Sequence, residues 1–483
     1  MGAVKVGSDI EITGLGNTWA SVYTDIADPT YFDNPAAGVY ELVGNRRLTI
    51  KNTGQVIMGN AGDFTQTEEL RFTPVSSGGA RFSVNHGGDF QVYGKSTMDF
   101  GYSGNGAFVF PSGRWYARGD GVNDPVFKNS HRWQFIWQAG LSSFYATDRW
   151  DWEHVTVGPF NTAGTTQLWW FLPIQQVPPC SFKNIAFDST NVGGTPSTIV
   201  EMNVDTVRGA SRNLLFEDCT FTGAAATCVN TAATGPYFKN CQFNGTYSNR
   251  VASISQALRH QYYRHDNIIE DANNFDDHWM PVVFEDCTFT VSSNLGLTVA
   301  NGTVLLINPT FTGGGISQLS VAGDSNILLY GTWSFDGTWV RTNPAMIADM
   351  KKLDLTIEDA DGNALENAIF SVVQEDDREA WSWRTNSNGK PVVDFRLENQ
   401  IYLVYREYVS GIPASATWTD WSSVASGKQH TLYAGANSWV GASQALVMDQ
   451  DRTITLELQQ GVLPPPGPVD PRKIRGTSRR RGL

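Results

Sequence analysis

The chain has 483 residues, too many for one ordinary hydrophobic core, so it requires several domains or a repeat architecture. Its 47 glycines, with 12% aromatic and only 17% charged residues, exclude long disordered or coiled-coil regions and favour an ordered, turn-rich β protein. The formal net charge of -13 excludes nucleic acid as a partner held by the field of the body, which is more acidic than the total because the last residues are basic.

Met1 to Ser8 opens onto a polar, alternating stretch without an apolar core of signal-peptide length, and Val6 breaks the myristoylation pattern. This reads as a product folded in a cytoplasm, with residues 1–34 as an N-terminal arm or cap. Short strands are predicted at Tyr40-Glu41-Leu42-Val43, Leu48-Thr49-Ile50 and Gln55-Val56-Ile57-Met58. The longest strongly apolar run, Leu168 to Ile174, is far short of a membrane span, so no membrane insertion is expected. Between His131 and Trp152, seven Trp, Phe and Tyr residues exceed what a narrow coil can hide. Trp133, Trp137, Trp150 and Trp152 are therefore candidates for stacking against sugars, the alternative being packing against an insertion or a sister chain.

Six segments then share one pattern: large apolar, any, Asn or Asp, apolar, any, Phe. They begin at Phe182, Phe216, Phe238, Phe284, Leu306 and, in degenerate form, Tyr330; Trp152 to Val157 is a weaker earlier copy. The closing Phe residues, Phe187, Phe221, Phe243, Phe289, Phe311 and Phe335, lie 34, 22, 46, 22 and 24 residues apart. The interval of 34 reads as one coil with an insertion, and that of 46 as two coils, one of which has lost the motif. Apolar residues two apart point to one face of a strand, and the preceding Asn or Asp suits a sharp left-handed corner. Stacked at roughly 4.8 Å, the closing Phe residues would form an internal column.

This repeat resembles the right-handed parallel β-helix of pectate lyases, polygalacturonases and phage tailspikes, directly over residues 150–340 and by composition from about residue 35. The resemblance implies an all-β fold with a solenoid over residues 35–345, about 13 coils at roughly 4.8 Å each. It carries fold more than function, since both enzymes and passive shafts share it. Of the polygalacturonase motifs only Asp-Asp pairs occur, at Asp276-Asp277 and Asp376-Asp377, and no cofactor or metal is implied. Residues 259–279 gather ten charged or histidine side chains, among them Asp276, Asp277 and His278, the catalytic candidates should this be an enzyme. The competing reading of that stretch is a solvated excursion whose charges pair with one another or with a neighbouring subunit. Five cysteines, an odd number, argue against a full disulfide framework. Cys219 and Cys241 are expected as free thiols on adjacent internal rungs, with Cys287 two rungs further on.

After Phe335 the rhythm changes. Leu353 to Glu358 alternates as a strand, Asp359-Ala360-Asp361-Gly362-Asn363 is a turn, and further strands follow at Ala368 to Val373, Val392 to Phe395 and Thr453 to Leu458. Phe370, the twelfth position counting Asp359 as the first, rules out a calcium loop there. Residues 350–460 resemble a carboxypeptidase-regulatory-like, prealbumin-like (Ig-like) β-sandwich, which implies a spacer or binding module. Residues 461–483 form a Pro-rich linker and basic tail, in which Arg472, Lys473, Arg475, Arg479, Arg480 and Arg481 would dock on an acidic partner. The expectation is a structural or adhesive virion protein of a tailed phage, a fibre, spike or capsid-surface protein. Its expected partners are other virion proteins and a host-surface polysaccharide, in a homo-oligomer with a trimer favoured. The alternative is a tailspike-like polysaccharide hydrolase or lyase.

Overall fold

The computed structural model describes the chain apart from residues 1, 77–78, 102–106, 129–132, 138–148, 158–166, 174–179, 189–197, 203–213, 224–226, 232–235, 246–249, 256–281, 292–294, 314–316, 323–324, 343–344, 375–378, 392–399, 411–415, 419–428, 437–438 and 461–483. The fold is all-β with long parallel sheets. It divides into two compact units: Met1–Ser255 with Phe284–Thr298 and Thr310–Leu319, and Gln256–Val283 with Val299–Pro309 and Ser320–Leu483.

In the first unit short strands fall into three ladders. The first ladder runs through Asp9–Ile12, Arg47–Ile50, Arg81–Val84, Phe108–Pro111, Trp133–Trp137 and onward, each strand parallel to the next. The second runs through Gln55–Met58, Asp89–Tyr93, Arg114–Arg118, Trp150–Glu153, Cys180–Lys183, Leu214–Glu217 and Tyr237–Lys239. The third joins Val39–Val43 to Thr310–Thr312 through Glu69–Thr73, Thr97–Asp99, Val126–Lys128, Thr156–Val157, Ala186–Asp188, Thr220–Gly223, Gln242–Gly245 and Thr288–Val291. The chain visits the ladders in a repeating cycle, an arrangement compatible with a β-helix-like solenoid. Parallel pairing already begins at Asp9–Ile12, within the expected N-terminal cap. There the helix Trp19–Ile26, closed by a Thr18/Ser21 capping box, buries Trp19, Val22 and Ile26, and Trp19 packs against Phe32 and Phe90.

The repeated hexapeptide is the corner between the second and third ladders. His154, Asn184, Asp218, Asn240, Asp286 and Asn308 all have positive φ, between 48° and 54°, the backbone that Asn and Asp tolerate best. The backbone N–H of each of the first four donates to the next rung: His154 to Lys183 O, Asn184 to Glu217 O, Asp218 to Lys239 O and Asn240 to Glu285 O. The corner thereby turns the chain from the second ladder to the third while its own N–H stays hydrogen-bonded. On either side of it the large apolar residues turn inward. Phe182, Phe216, Phe238 and Phe284 stack at 4.8 to 5.1 Å. Phe187, Phe221, Phe243, Phe289 and Phe311 stack at 4.4 to 4.9 Å with their planes within 9°. The two columns meet edge to face, the arrangement that ring quadrupoles favour.

Three expectations change. Phe243 pairs and stacks directly with Phe289, so the interval of 46 residues is one turn of the third ladder, not two. Cys287 consequently lies one rung beyond Cys241, whose carbonyl accepts from the Thr288 N–H. Phe335 is half-buried and meets Trp339 edge-on at 5.0 Å. Its repeat is degenerate because Gly331, at φ 79°, holds the position two residues after Leu329 and the strand ends there. Towards the N-terminus the turns are longer than 22 to 24 residues: Leu70, Met98, Phe127, Val157 and Phe187 succeed one another every 28 to 30 residues. Fewer turns fit than the shorter period implies, because loops lengthen each circuit while leaving the strands in register.

In the second unit, Gly302–Ile307 pairs in parallel with Ser325–Tyr330, which pairs with the start of Met346–Asp359. That long strand continues antiparallel to Ile401–Ser410 and parallel to Arg452–Gln460. A separate antiparallel sheet has the order Glu379–Arg384, Ile369–Gln374, Gln429–Gly435, Ala442–Val447. The stretch at Asp359 is a turn: its carboxylate accepts from the N–H groups of Asp361 and Asn363, and Gly362 takes φ 79°.

Candidate functional site

Charge on the outward faces of the first unit follows a rule. On the second ladder Arg118, Glu153, Lys183, Glu217 and Lys239 are successive strand partners, so the sign alternates at every rung. Two of these neighbours form ion pairs, Arg118–Glu153 and Lys183–Glu217, both at 3.4 Å. The third ladder repeats the device with Glu41, Arg71, Asp99 and Lys128. Opposite charges across a sheet stabilise by roughly 0.2–1 kcal/mol and like charges cost a similar amount.

The first ladder departs from it. Arg47 and Arg81 are direct partners, the one cation–cation pair among the described strand registers. They belong to four strands, Asp9–Ile12, Arg47–Ile50, Arg81–Val84 and Phe108–Pro111, whose alternation buries Ile10, Leu48, Phe82 and Val109. The same alternation sends Asp9, Arg47 and Arg81 outward in one row and Glu11, Thr49, Ser83 and Phe110 in the next. With Lys51, Asn85 and Ser112 these side chains line a polar hollow of about 250 Å³. Asp9 accepts from the Arg47 backbone at 3.2 Å and lies 3.9 Å from its guanidinium, and Lys51 donates to Glu11 at 2.8 Å. Arg81 has no carboxylate at ion-pair distance among the described residues; its guanidinium lies 5.6 Å from the Phe110 ring centre, within cation–π range. Thr49 and Ser83 are 6% and 7% exposed, forming a hydroxyl-bearing floor. Chemically this is an anion-accepting fork beside an aromatic ring and a row of hydrogen-bonding groups.

Trp150 and Trp152, expected as sugar platforms, are buried. They stack on each other at 5.5 Å and contact Trp115 at 5.1 and 5.0 Å, so their faces are spent on the core. Both sit at inward positions of Trp150–Glu153, between Trp115 and Ala117 on one side and Cys180 and Phe182 on the other. Trp133 and Trp137 lie on a first-ladder strand as partners of Trp169 and Pro173, and their side chains are outside the described residues. Asp276, Asp277 and His278 also lie outside them, as do Arg472, Lys473, Arg475, Arg479, Arg480 and Arg481. The hollow itself was legible only as a paired pattern: Arg47-Leu48-Thr49-Ile50 and Arg81-Phe82-Ser83-Val84 repeat basic, apolar, hydroxyl, aliphatic. That match signals two strands in register, but their shared charge becomes meaningful only once they are known to be neighbours.

Two buried polar features complete the picture. The thiols of Cys219, Cys241 and Cys287 donate to the carbonyls of Phe182, Phe216 and Phe238 at 3.2 to 3.4 Å. Burial pushes the Cys180, Cys219 and Cys287 thiols well above their usual range, so they are inert, protonated core groups. In the second unit, buried Asp349 accepts from Arg406 at 2.9 Å and lies 3.8 Å from Lys351. Burial raises its carboxyl above the ordinary value, against the pull of those two cations. Arg406 also covers the Trp418 ring at 4.5 Å.

Comparison with protein-family models, with curated proteins and with solved structures found no match for this chain.

Proposed function

We propose that the chain is a structural and adhesive virion protein of a tailed phage, a fibre, spike or capsid-surface protein. In this reading the first unit is a right-handed parallel β-helix shaft, and residues 350–460 form an Ig-like, prealbumin-like sandwich that acts as a spacer or binding module. The observation that carries it is the continuity of the inward stack, in which each third-ladder side chain from Leu70 to Phe311 rests on its register partner. A core built rung on rung, with both edges of nearly every strand hydrogen-bonded, resists local opening and suits a load-bearing rod. The outward hollow at Arg47 and Arg81 offers a place for contact with a host-surface polysaccharide. Other virion proteins are the structural neighbours in this proposal, with the chain assembled as a homotrimer and the basic tail from Arg472 to Arg481 as an anchor.

Electron microscopy of particles carrying a tagged copy tests this directly. Label on the particle surface supports the reading, and its absence from purified particles refutes it. The same preparation is incubated with host polysaccharide: adsorption without new chain ends is expected, whereas release of reducing or unsaturated ends would replace the adhesive reading by a hydrolase or lyase.

A further inference from the structure

We infer that the hollow at Arg47, Arg81 and Phe110 binds a carboxylate-bearing sugar, an inference that rests on the adhesive reading and gives its ligand a chemical class. The first argument is electrostatic. On the second and third ladders, charged residues that are register partners are opposite in sign, yet here two arginines face each other directly. A like-charge pair in a sheet is unfavourable unless an anion bridges it, and departures from a local rule concentrate at functional sites.

The second argument is the allocation of partners. Asp9 and Glu11 engage Arg47 and Lys51 from one side, while Arg81, one strand further along, has the Phe110 ring beside it and no carboxylate at ion-pair distance among the described residues. Its planar fork of donors matches a carboxylate in bidentate fashion. Phe110, half-buried, supplies an apolar face for the C–H side of a sugar ring. The hydroxyls of Thr49 and Ser83 in the floor supply donors and acceptors for ring hydroxyls. A densely charged polyphosphate would meet Asp9 and Glu11 within the same hollow. A single carboxylate on an otherwise neutral ring meets Arg81 and clears them. The formal net charge of -13 opposes a polyanion at long range, so recognition must come from these short contacts.

The test uses the full chain with tetraglucuronate and its carboxyl-reduced, neutral counterpart, measured by calorimetry. Tetraglucuronate should bind, more weakly as salt rises, and the neutral sugar at least about tenfold more weakly. Arg81→Gln should lose about tenfold in affinity for the acidic sugar alone. Arg114→Gln, a control at an arginine already paired with Asp89 at 3.5 Å on the second ladder, should leave both affinities unchanged. Phe110→Ala should weaken both sugars, and circular dichroism confirms that each variant is folded. Equal affinity for the two sugars, binding of neither, or an Arg81→Gln variant that binds normally overturns the inference. Coating of host cells by the purified protein is scored separately. Coating that persists when tetraglucuronate fails means the ligand class is wrong and the adhesive reading stands. Loss of coating with sugar binding intact means that the ligand class stands and the adhesive reading falls.

Discussion

Replacing Phe243 by Ala removes a ring from the centre of the third-ladder column. Phe243 is fully buried, stacked on Phe221 at 4.8 Å and on Phe289 at 4.9 Å, with Phe238 and Phe284 edge-on at 5.6 and 5.5 Å. Phe→Ala in a core costs about 3–5 kcal/mol, the upper end applying where the surroundings cannot collapse. Collapse is restricted here because Gln242 and Asn244 are hydrogen-bonded in register to strands on both sides, which pins the backbone at the strand spacing. Several aromatic contacts are lost at once, so about 4–5 kcal/mol is expected. Thr220→Ala, at the outward, half-buried position beside Phe221, should change stability by less than about 0.5 kcal/mol. Stacked architectures unfold in a nearest-neighbour fashion, so urea titration should be paired with amide exchange. Protection should drop first at the Phe221 and Phe289 rungs. Equal destabilisation by the two substitutions, or loss of protection spread evenly over the unit, would show that the facing of these strands is wrong.

Asn240→Ala should cost roughly 1–2 kcal/mol because Asn240 sits at φ 50°, whereas Asn240→Gly should cost much less; urea midpoints compare the two. Glu217→Lys places three lysines on successive rungs at 183, 217 and 239 and should destabilise by about 1 kcal/mol at low salt, less at high salt, with salt-dependent melting as the readout. Asp349 has a folded-state carboxyl raised by burial, so its contribution to stability is complete below the ordinary value of 3.8 and is lost as pH rises through the raised value. Asp349→Asn should flatten that fall in a pH series of unfolding midpoints, and an unchanged slope would assign it to other groups. Cys180, Cys219, Cys241 and Cys287 are buried thiols outside any disulfide. They should resist thiol labelling in the native protein and react fully on denaturation.

The corners and the Phe columns were legible because their requirements are local. An Asx residue before an apolar–any–Phe triplet encodes a left-handed turn and the facing of the next strand within six residues. The pairing of Phe243 with Phe289 was not, since sequence distance cannot distinguish two turns from one turn with a long excursion. The burial of Trp150 and Trp152 was not legible either, for a related reason. Trp115 packs against both rings and Phe127 against Trp152, partners distant in sequence that no local pattern announces. The polar hollow is the extreme case: its residues come from four strands between Asp9 and Ser112, and nothing short-range links them.

Charge alternation joins fold and site in one physical account. Side chains on a parallel ladder meet their register partners at about the strand spacing, so a slip by one rung on an alternating column would set like against like. Arg118, Glu153, Lys183, Glu217 and Lys239 therefore reinforce the register that the buried Phe column sets by volume. The first ladder lacks that safeguard at Arg47 and Arg81, where register rests on Leu48 against Phe82 and Ile50 against Val84. Those apolar pairs are fully buried, so the ladder tolerates an unfavourable outward pair without losing its alignment. An anion bound there would remove the repulsion and add a cross-rung bridge, so ligand binding and ladder stability should rise together. On that account tetraglucuronate should raise the urea midpoint of the wild-type chain and, at the same concentration, raise that of the Arg81→Gln variant by clearly less.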